Sequence, residues 1–490
     1  MFTITSTEEN IFSLLRKVAL EYNVTVRVAG GWVRDKLLGL ESDDIDVCVD
    51  TMSGESFALL VAAALANGKK VAKVSANTEA NKNLESAILR IHGVEVDFAQ
   101  LRKETYDEES RNPEVEVGVT PLEDAQRRDL TINAIFYNLM TQEVEDWVGG
   151  ARDLQMKIAR TPIDPLRTYL EDPLRILRAV RFIARFDLQV DPALAKATCD
   201  ERVQEALVKK ISRERIWTEL SKILSGPNVP YAMEVIHWFG LRNLLLVPTD
   251  EQLKRANQVS DLWTQGFCSW DMEQNNPHHS YNVWQHTLAA MRWANENLSK
   301  EDTLIRNLAL LLHDVGKCDV CSQQVGKDKT TYHGHERSGA VLADEILQDL
   351  RAPNDIRNRV VKLVRQHMRL HLLPKGAHVG LRRVYRDVGP EDWKNLVDMS
   401  QADSMGKVDA ELDSKYVEFD QYIQEYSQKL NGKAEVKPPL DGNEVMELLG
   451  LQPGRQVGIV MAAFKEELLQ CPDMTPEEAK TFLLETFSRD

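Results

Sequence analysis

The stretch Val26–Asp50, VRVAGGWVRDKLLGLESDDIDVCVD, limits the fold more than any other. Val26 to Ala29 is a short apolar run. Gly30-Gly31 then lets the backbone turn and come close to a ligand where a side chain would clash. Trp32 to Leu38 carries apolar residues at 33, 37 and 38, a short helical face. Ile45 to Val49 alternates apolar residues with Asp44, Asp46 and Cys48, so Asp44 and Asp46 share one side of a strand. Two carboxylates that close repel each other unless a cation lies between them. An open, oxygen-only site suits Mg²⁺, which takes one or two carboxylates plus substrate phosphates. The pattern predicts phosphoryl or nucleotidyl transfer. A solvated acidic loop would account for Ser42-Asp43-Asp44 alone, but not for the glycine pair at this spacing.

GGWVRDKLLGLESDDID resembles the signature of the polymerase-β-type nucleotidyltransferases. The form is that of tRNA nucleotidyltransferases (CCA-adding enzymes) of the bacterial and eukaryotic class and of bacterial poly(A) polymerases. The resemblance implies that Gly30 and Gly31 approach a triphosphate with Arg34 in reach, and that Asp44 and Asp46 hold two Mg²⁺ ions. Ser86 to Ile91 and Val94 to Phe98 read as a hairpin carrying Asp97 in VDF. Folds of this type put a third carboxylate on such a strand; a solvent-facing strand acid fits Asp97 equally well.

Glu123 to Met140, EDAQRRDLTINAIFYNLM, reads as a helix from Arg127 with its apolar face at Ile132, Ile135, Phe136 and Leu139. Arginine can fork onto phosphates and asparagine can bond a ribose. The run resembles the family motif RRDxTxNA, which implies nucleotide contacts at Arg128, Asp129 and Asn133. Asp146 to Leu154 resembles the connector between the family's head and neck, its glycines serving as a hinge or a plain turn. Leu166 to Phe186 reads as one helix, with Leu170, Leu174, Leu177 and Val180 on an apolar stripe. A basic stripe of Arg175, Arg178, Arg181 and Arg185 runs beside it. Asp172 and Arg175 would then share a face, as a surface ion pair at least. Glu171-Asp172-x-x-Arg175 matches the family motif that selects the incoming base, so Glu171, Asp172, Arg175 and Arg178 are candidate nucleotide contacts. Ile211 to Leu220 resembles the last neck motif and adds Lys209, Lys210, Arg213 and Arg215 to the basic surface, where RNA phosphates are expected.

Ten of the eleven histidines fall between 237 and 378. His286, His313-Asp314 in LLLHDVGK, His333-Gly-His335, His367 and Asp403 form a set of imidazoles and carboxylates on predicted helices. Such a set fits one or two divalent transition metals. It resembles the HD phosphohydrolase superfamily. The resemblance implies His286, His313, Asp314 and Asp403 as ligands, with His335 and His367 as a second-metal set.

A formal charge of −16 excludes an indiscriminate nucleic-acid binder. The six scattered cysteines suit a reducing compartment, and Cys318-x-x-Cys321 lacks the second pair of a structural zinc site. No apolar run approaches the ~20 residues of a membrane span, and the N-terminus lacks a signal or transit pattern; a cytoplasmic protein is expected. At 490 residues, several domains are expected. The expectation is a multidomain α+β chain, with a small α/β polymerase-β-like nucleotidyltransferase head at 1–160. An all-helical neck and body (161–270), HD domain (271–410) and tail (411–490) follow. The resemblance implies CCA addition to tRNA from CTP and ATP. Alternatives are a poly(A) polymerase, a CC-only or A-only enzyme in which the loop at 75–84 sets the choice, or an HD phosphohydrolase whose head only binds RNA.

Overall fold

The computed structural model describes residues 2–42, 44–66, 75–76, 86–105, 114–246, 269–272, 282–317, 322–323, 330–407, 410–430, 437–468 and 470–487. Most of the loop expected at 75–84, the end of the helical body expected to 270 (residues 247–268) and Cys318-x-x-Cys321 lie outside them. The chain forms two compact units, Met1–Leu246 and Val247–Asp490.

The first unit begins with a helix, Ser6–Tyr22, closed at its N-terminus by a Thr5/Glu8 capping box. Nine strands follow: β1 Val26–Ala29, β2 Asp44–Val49, β3 Ser75–Ala76, β4 Ala87–Ile91, β5 Val94–Gln100, β6 Arg102–Thr105, β7 Glu114–Val117, β8 Ile135–Asn138 and β9 Glu143–Asp146. Seven of them form one sheet in the order β3-β4-β5-β2-β1-β8-β9, and β6 pairs with β7 separately. The expected hairpin is present: Ile91 pairs with Val94 across His92-Gly93, both at positive φ. One face of the sheet is packed by Phe12, Trp32, Val28, Val47, Phe57 and Phe98. Glu8 accepts from Trp32 Nε1 (2.8 Å) and meets Lys36 Nζ (2.9 Å). The first helix thereby fixes the short helix Gly31–Leu37 and, with it, the glycine turn.

Two expected helices are corrected. Residues 123–140 are not one helix: Pro121–Gln126 is helical, Thr131–Asn133 is a single 3₁₀ turn, and Ile135–Asn138 is the strand β8 paired with β1. All four residues of β8 are buried, so the β-branched and aromatic run serves a sheet interior rather than one helical face. Residues 166–186 are two helices, Pro165–Glu171 and Leu174–Phe186, broken at Asp172-Pro173. Proline has no N–H to continue the ladder and forces the preceding residue to extend; Asp172 sits at φ −136°, ψ 96°.

After β9 this unit is helical through Arg242–Leu246, apart from the two-residue parallel pairing of Ile158–Ala159 with Gln189–Val190. The connector glycine Gly150 is a close-approach position: a Cβ there would lie 2.1 Å from the Thr131 carbonyl oxygen. The second unit is helical too, with Val283–Asn297, Thr303–Leu312, His335–Asp349, Asn354–Leu372, His378–Val388, Pro390–Met405 and Lys415–Lys429 described, and one short pairing at 322–323 with 330–331. Three further helices, Gly442–Leu449, Arg455–Leu468 and Pro476–Phe487, close on a small core of Val445, Val460, Phe464, Ala479 and Leu483.

Candidate functional site

Strand β2 runs parallel to β5 with Asp46 opposite Asp97, and Asp44 opposite Glu95. Paired residues of neighbouring strands share a face, so Asp44, Asp46 and Asp97 stand on one side, opposite the buried Ile45, Val47, Val96 and Phe98. Asp44 stands two residues, roughly 7 Å, along the strand from Asp46. Asp46 is open to solvent yet ringed closely enough by protein that burial raises its carboxyl. Arg128 and Arg34 pull it down and Asp44 pushes it up. These are the oxygen donors and like charges that a hard divalent cation would relieve.

The glycine turn closes over the same place. Gly30 has φ +67°, and a Cβ there would sit 3.0 Å from Arg128 Nη1 and 3.4 Å from the Asn133 carbonyl oxygen. Any other residue would be strained and would crowd Arg128. At Gly31 the added Cβ would lie 3.7 Å from Arg34 Nη2, ordinary contact.

Four of the expected nucleotide contacts form a single chain of hydrogen bonds. Arg34 Nη1 donates to Asn133 Oδ1, Asn133 Nδ2 donates to Asp129 Oδ1 (2.9 Å), and Arg178 Nε donates to Asp129 Oδ2 (2.8 Å). Burial works against the charge on Asp129, but Arg178, Asn133 and the Leu130 N–H outweigh it and hold the carboxyl down at about 2. Arg34 is itself buried and lies over the Phe186 ring at 4.5 Å. Arg128 donates to Asp124 Oδ2 and to the Asn133 carbonyl.

The side chains of Asp172 and Arg175 turn to different partners, while the Arg175 N–H donates to the Asp172 carbonyl (3.1 Å). Asp172 accepts from the Leu174 N–H (3.2 Å) and lies 3.5 Å from Arg215. Arg175 is buried between Glu171 (3.6 Å) and Glu104 (3.7 Å). The basic stripe is also matched by carboxylates: Arg178 and Arg181 lie on Glu219, and Arg185 lies 3.6 Å from Asp35.

Sequence reasoning missed Glu104, which meets Arg102, Arg127 and Arg175, and Asp124, which is fully buried beneath Arg127 and Arg128. The signal for Asp124 was its spacing of three and four before two arginines on a helix end. Glu104 sits on a separate strand pair and gave none.

In the second unit, two buried groups each bring three donor atoms within 4.8 Å of one another: His286, His313 and Asp403, and Asp314, His335 and His367. Asp314 joins them, with Oδ2 3.2 Å from His313 Nε2 and Oδ1 3.3 Å from His335 Nε2. His313, His335 and His367 turn Nδ1 onto backbone carbonyls at 2.7–2.8 Å, and His286 does so on Gly406 at 3.1 Å. A neutral imidazole that donates Nδ1–H to a carbonyl offers Nε2 to an ion, and these four Nε2 atoms face the centre. The donor set therefore fits a transition-metal ion. Burial opposes charge on His313, but Asp314 and Asp403 push its imidazole up to about 10. His367 is driven well below its ordinary value by burial and by His335 and His313. His333 is exposed and belongs to neither group. Lys317 and His371 were missed: Lys317 Nζ donates to Asp314 Oδ2 (2.6 Å), and His371 Nε2 lies 2.8 Å from Asp403 Oδ2.

Residues 26–160 match the family described as the poly A polymerase head domain, and residues 278–405 match the HD domain. Residues 187–251 match the probable RNA and SrmB-binding site of polymerase A. The mitochondrial CCA tRNA nucleotidyltransferase of Saccharomyces cerevisiae is 31% identical, the alignment covering 93% of this chain and 88% of that protein. The chain belongs to the CCA tRNA nucleotidyltransferase family. The tRNA nucleotidyltransferase cca1 of Schizosaccharomyces pombe is 30% identical over 94% of this chain and 91% of its own. A-adding and CC-adding tRNA nucleotidyltransferases, from Deinococcus radiodurans and Thermus thermophilus, are 30% identical over 74% of this chain and 78% of their own. The Bacillus stearothermophilus CCA-adding enzyme in complex with CTP shares the fold, aligning over 98% of both chains with a TM-score of 0.65 at 18% identity. Among the described residues, no helix of this tRNA nucleotidyltransferase is long and apolar enough to cross a membrane.

Proposed function

We propose that this chain adds C, C and A to tRNA 3′ ends from CTP and ATP, without a nucleic-acid template. The observation that carries the reading is the carboxylate face at the glycine turn, in a chain that matches a CCA tRNA nucleotidyltransferase over 93% of its length. The work is divided among a head (1–160), a neck and body (161–270), an HD domain (271–410) and a tail (411–490).

The tRNA 3′-oxygen attacks the α-phosphorus of the bound triphosphate, a new P–O ester bond forms, and the bond to the β-phosphate breaks as pyrophosphate leaves. Asp44 and Asp46, with Asp97 opposite, would hold Mg²⁺, which when bound lowers the pKa of the attacking hydroxyl and offsets charge on the leaving group. Gly30 leaves room for phosphate oxygens beside the backbone. Arg128, held by Asp124, faces the triphosphate across Gly30. Asn133 is oriented for a ribose by Arg34 and Asp129, and Asp129 is held in turn by Arg178. Asp172 and Arg175 read the base edge, with Glu171 and Glu104 holding Arg175 until a nucleotide replaces them.

The HD residues would hold one or two divalent transition-metal ions and support phosphate-ester hydrolysis separate from nucleotide addition. The reading in which the head only binds RNA is disfavoured by the carboxylate pair and by the Asp129–Arg178 contact. A cytoplasmic location belongs to the proposal as well; a fluorescent fusion found in mitochondria would overturn it, an outcome the mitochondrial relative brings into view.

The test uses the purified chain, a tRNA transcript ending before CCA, and each labelled nucleoside triphosphate singly and together. Three added residues, requiring both CTP and ATP, are expected. A long A tail would make it a poly(A) polymerase, and arrest after CC or acceptance of A alone would make it a partial enzyme. Phosphate-ester cleavage without addition would leave only the HD reading.

A further inference from the structure

The second unit holds a chain of contacts that runs past residue 405, where the HD match ends. Asp403 divides its two oxygens. Oδ1 faces the candidate ligands His286 (2.9 Å) and His313 (3.7 Å), while Oδ2 faces His371 Nε2 (2.8 Å). His371 lies one helical turn beyond His367 on Asn354–Leu372, so the same helix that offers a ligand also offers this second imidazole. The far side of His371 is clamped by the helix Lys415–Lys429. Tyr416 Oη lies 2.7 Å from His371 Nδ1, and Lys415 Nζ donates to the His371 carbonyl (3.0 Å). Tyr416 is buried and its ring meets the imidazole edge-on at 5.9 Å.

We infer that His371, held by Tyr416 and Lys415, is a positioning residue for Asp403, so that the helix after the HD match is part of the metal centre. The Nε2 edge of His371, 2.8 Å from Oδ2, holds that oxygen and keeps Oδ1 turned toward the imidazoles. The carboxylate is thereby held in one rotamer before any ion arrives. Without that contact Asp403 can rotate, and a bound ion must order it at the moment of binding. Outer partners of this kind typically change metal affinity by about 10–100-fold. The inference rests on the HD metal reading, and the experiment separates the two.

The full chain is stripped with chelator and titrated with Co²⁺, whose visible bands report imidazole and carboxylate ligands and distinguish this centre from the oxygen-only head. Calorimetry gives the affinity. Wild type is expected to show the bands, and His313→Ala with Asp314→Ala to lose them. His371→Ala should weaken Co²⁺ binding by about 10–100-fold. Tyr416→Phe, which keeps the ring and removes one hydrogen bond, should weaken it by about two- to tenfold. His371→Gln keeps an N–H donor and should recover part of the loss, which lost packing alone would not predict. Nucleotide addition should be unchanged in all three single variants. Affinities within about twofold of wild type for His371→Ala and Tyr416→Phe would overturn the positioning role while leaving the metal centre standing. A wild-type chain without Co²⁺ bands would overturn the metal reading and this inference with it.

Discussion

Arg178 Nε lies 2.8 Å from Asp129 Oδ2, and this contact joins the helix Leu174–Phe186 to the segment that carries Asn133. Arg178→Ala removes it and leaves a buried carboxylate facing only neutral donors and a more distant charge. The expected loss of unfolding free energy is about 1–3 kcal/mol, measured by urea denaturation. The KM for CTP and for ATP should rise together, since the ribose contact is common to both. Unchanged KM values with lowered stability would make the contact purely structural.

Asp46→Asn should abolish nucleotide addition without lowering stability. Burial and the charge of Asp44 both raise the Asp46 carboxyl, so ionised Asp46 already works against the fold. A melting temperature equal to or above wild type, with tRNA binding retained and turnover lost by at least about 10³-fold, is the expected pair of results. Near-normal turnover in both Asp46→Asn and Asp44→Asn would remove the metal assignment.

Acid should weaken the first unit in a defined window. Asp124 and Asp129 are each held at about 2 against an ordinary 3.8, so both bind fewer protons folded than unfolded. Their stabilisation is complete above about pH 4 and is lost as pH falls through about 2, on the order of 2 kcal/mol each. In Asp129→Asn, the loss of stability between about pH 5 and 2.5 should be smaller than in wild type by roughly 1–2 kcal/mol. An identical pH dependence would show that Arg178 does not hold Asp129 in solution.

The two chemistries should separate. His313→Ala with Asp314→Ala should remove any metal-dependent phosphodiesterase or phosphatase activity and leave CCA addition intact. Loss of nucleotide addition in a folded double variant would couple the two units.

The alternation DIDVCV reads directly as a strand with one acidic face, because a period of two has no other economical explanation, and the two-residue hairpin at His92-Gly93 follows from its turn. The histidine cluster was equally readable, since no common core need collects that many imidazoles. IFYN was misread because a fully buried strand has no alternation, and a short apolar run then fits a helix as well. Pro173 was the missed breaker: the leucine stripe continues across it, and only the ring shows that Asp172 leaves the helix. Glu104 and His371 could not be found by local spacing, because their partners lie 71 and 32 positions away (Arg175 and Asp403).

In the proposed function, side chains of the neck, rather than a nucleic acid, choose the base. Cytosine and adenine present an amine donor beside a ring-nitrogen acceptor, whereas uracil presents a carbonyl beside an N–H. Asp172 can accept from the amine and Arg175 can donate to the ring nitrogen, and a site built for one edge rejects the other by roughly 10⁴–10⁵. The direct measurement is single-nucleotide incorporation of CTP against UTP on a tRNA transcript, in wild type and in Asp172→Ala. The CTP preference should narrow by at least about tenfold in the variant, one lost hydrogen bond to a charged group. An unchanged rejection of UTP would contradict it and leave Asp172 as the cap of Leu174 and a partner of Arg215.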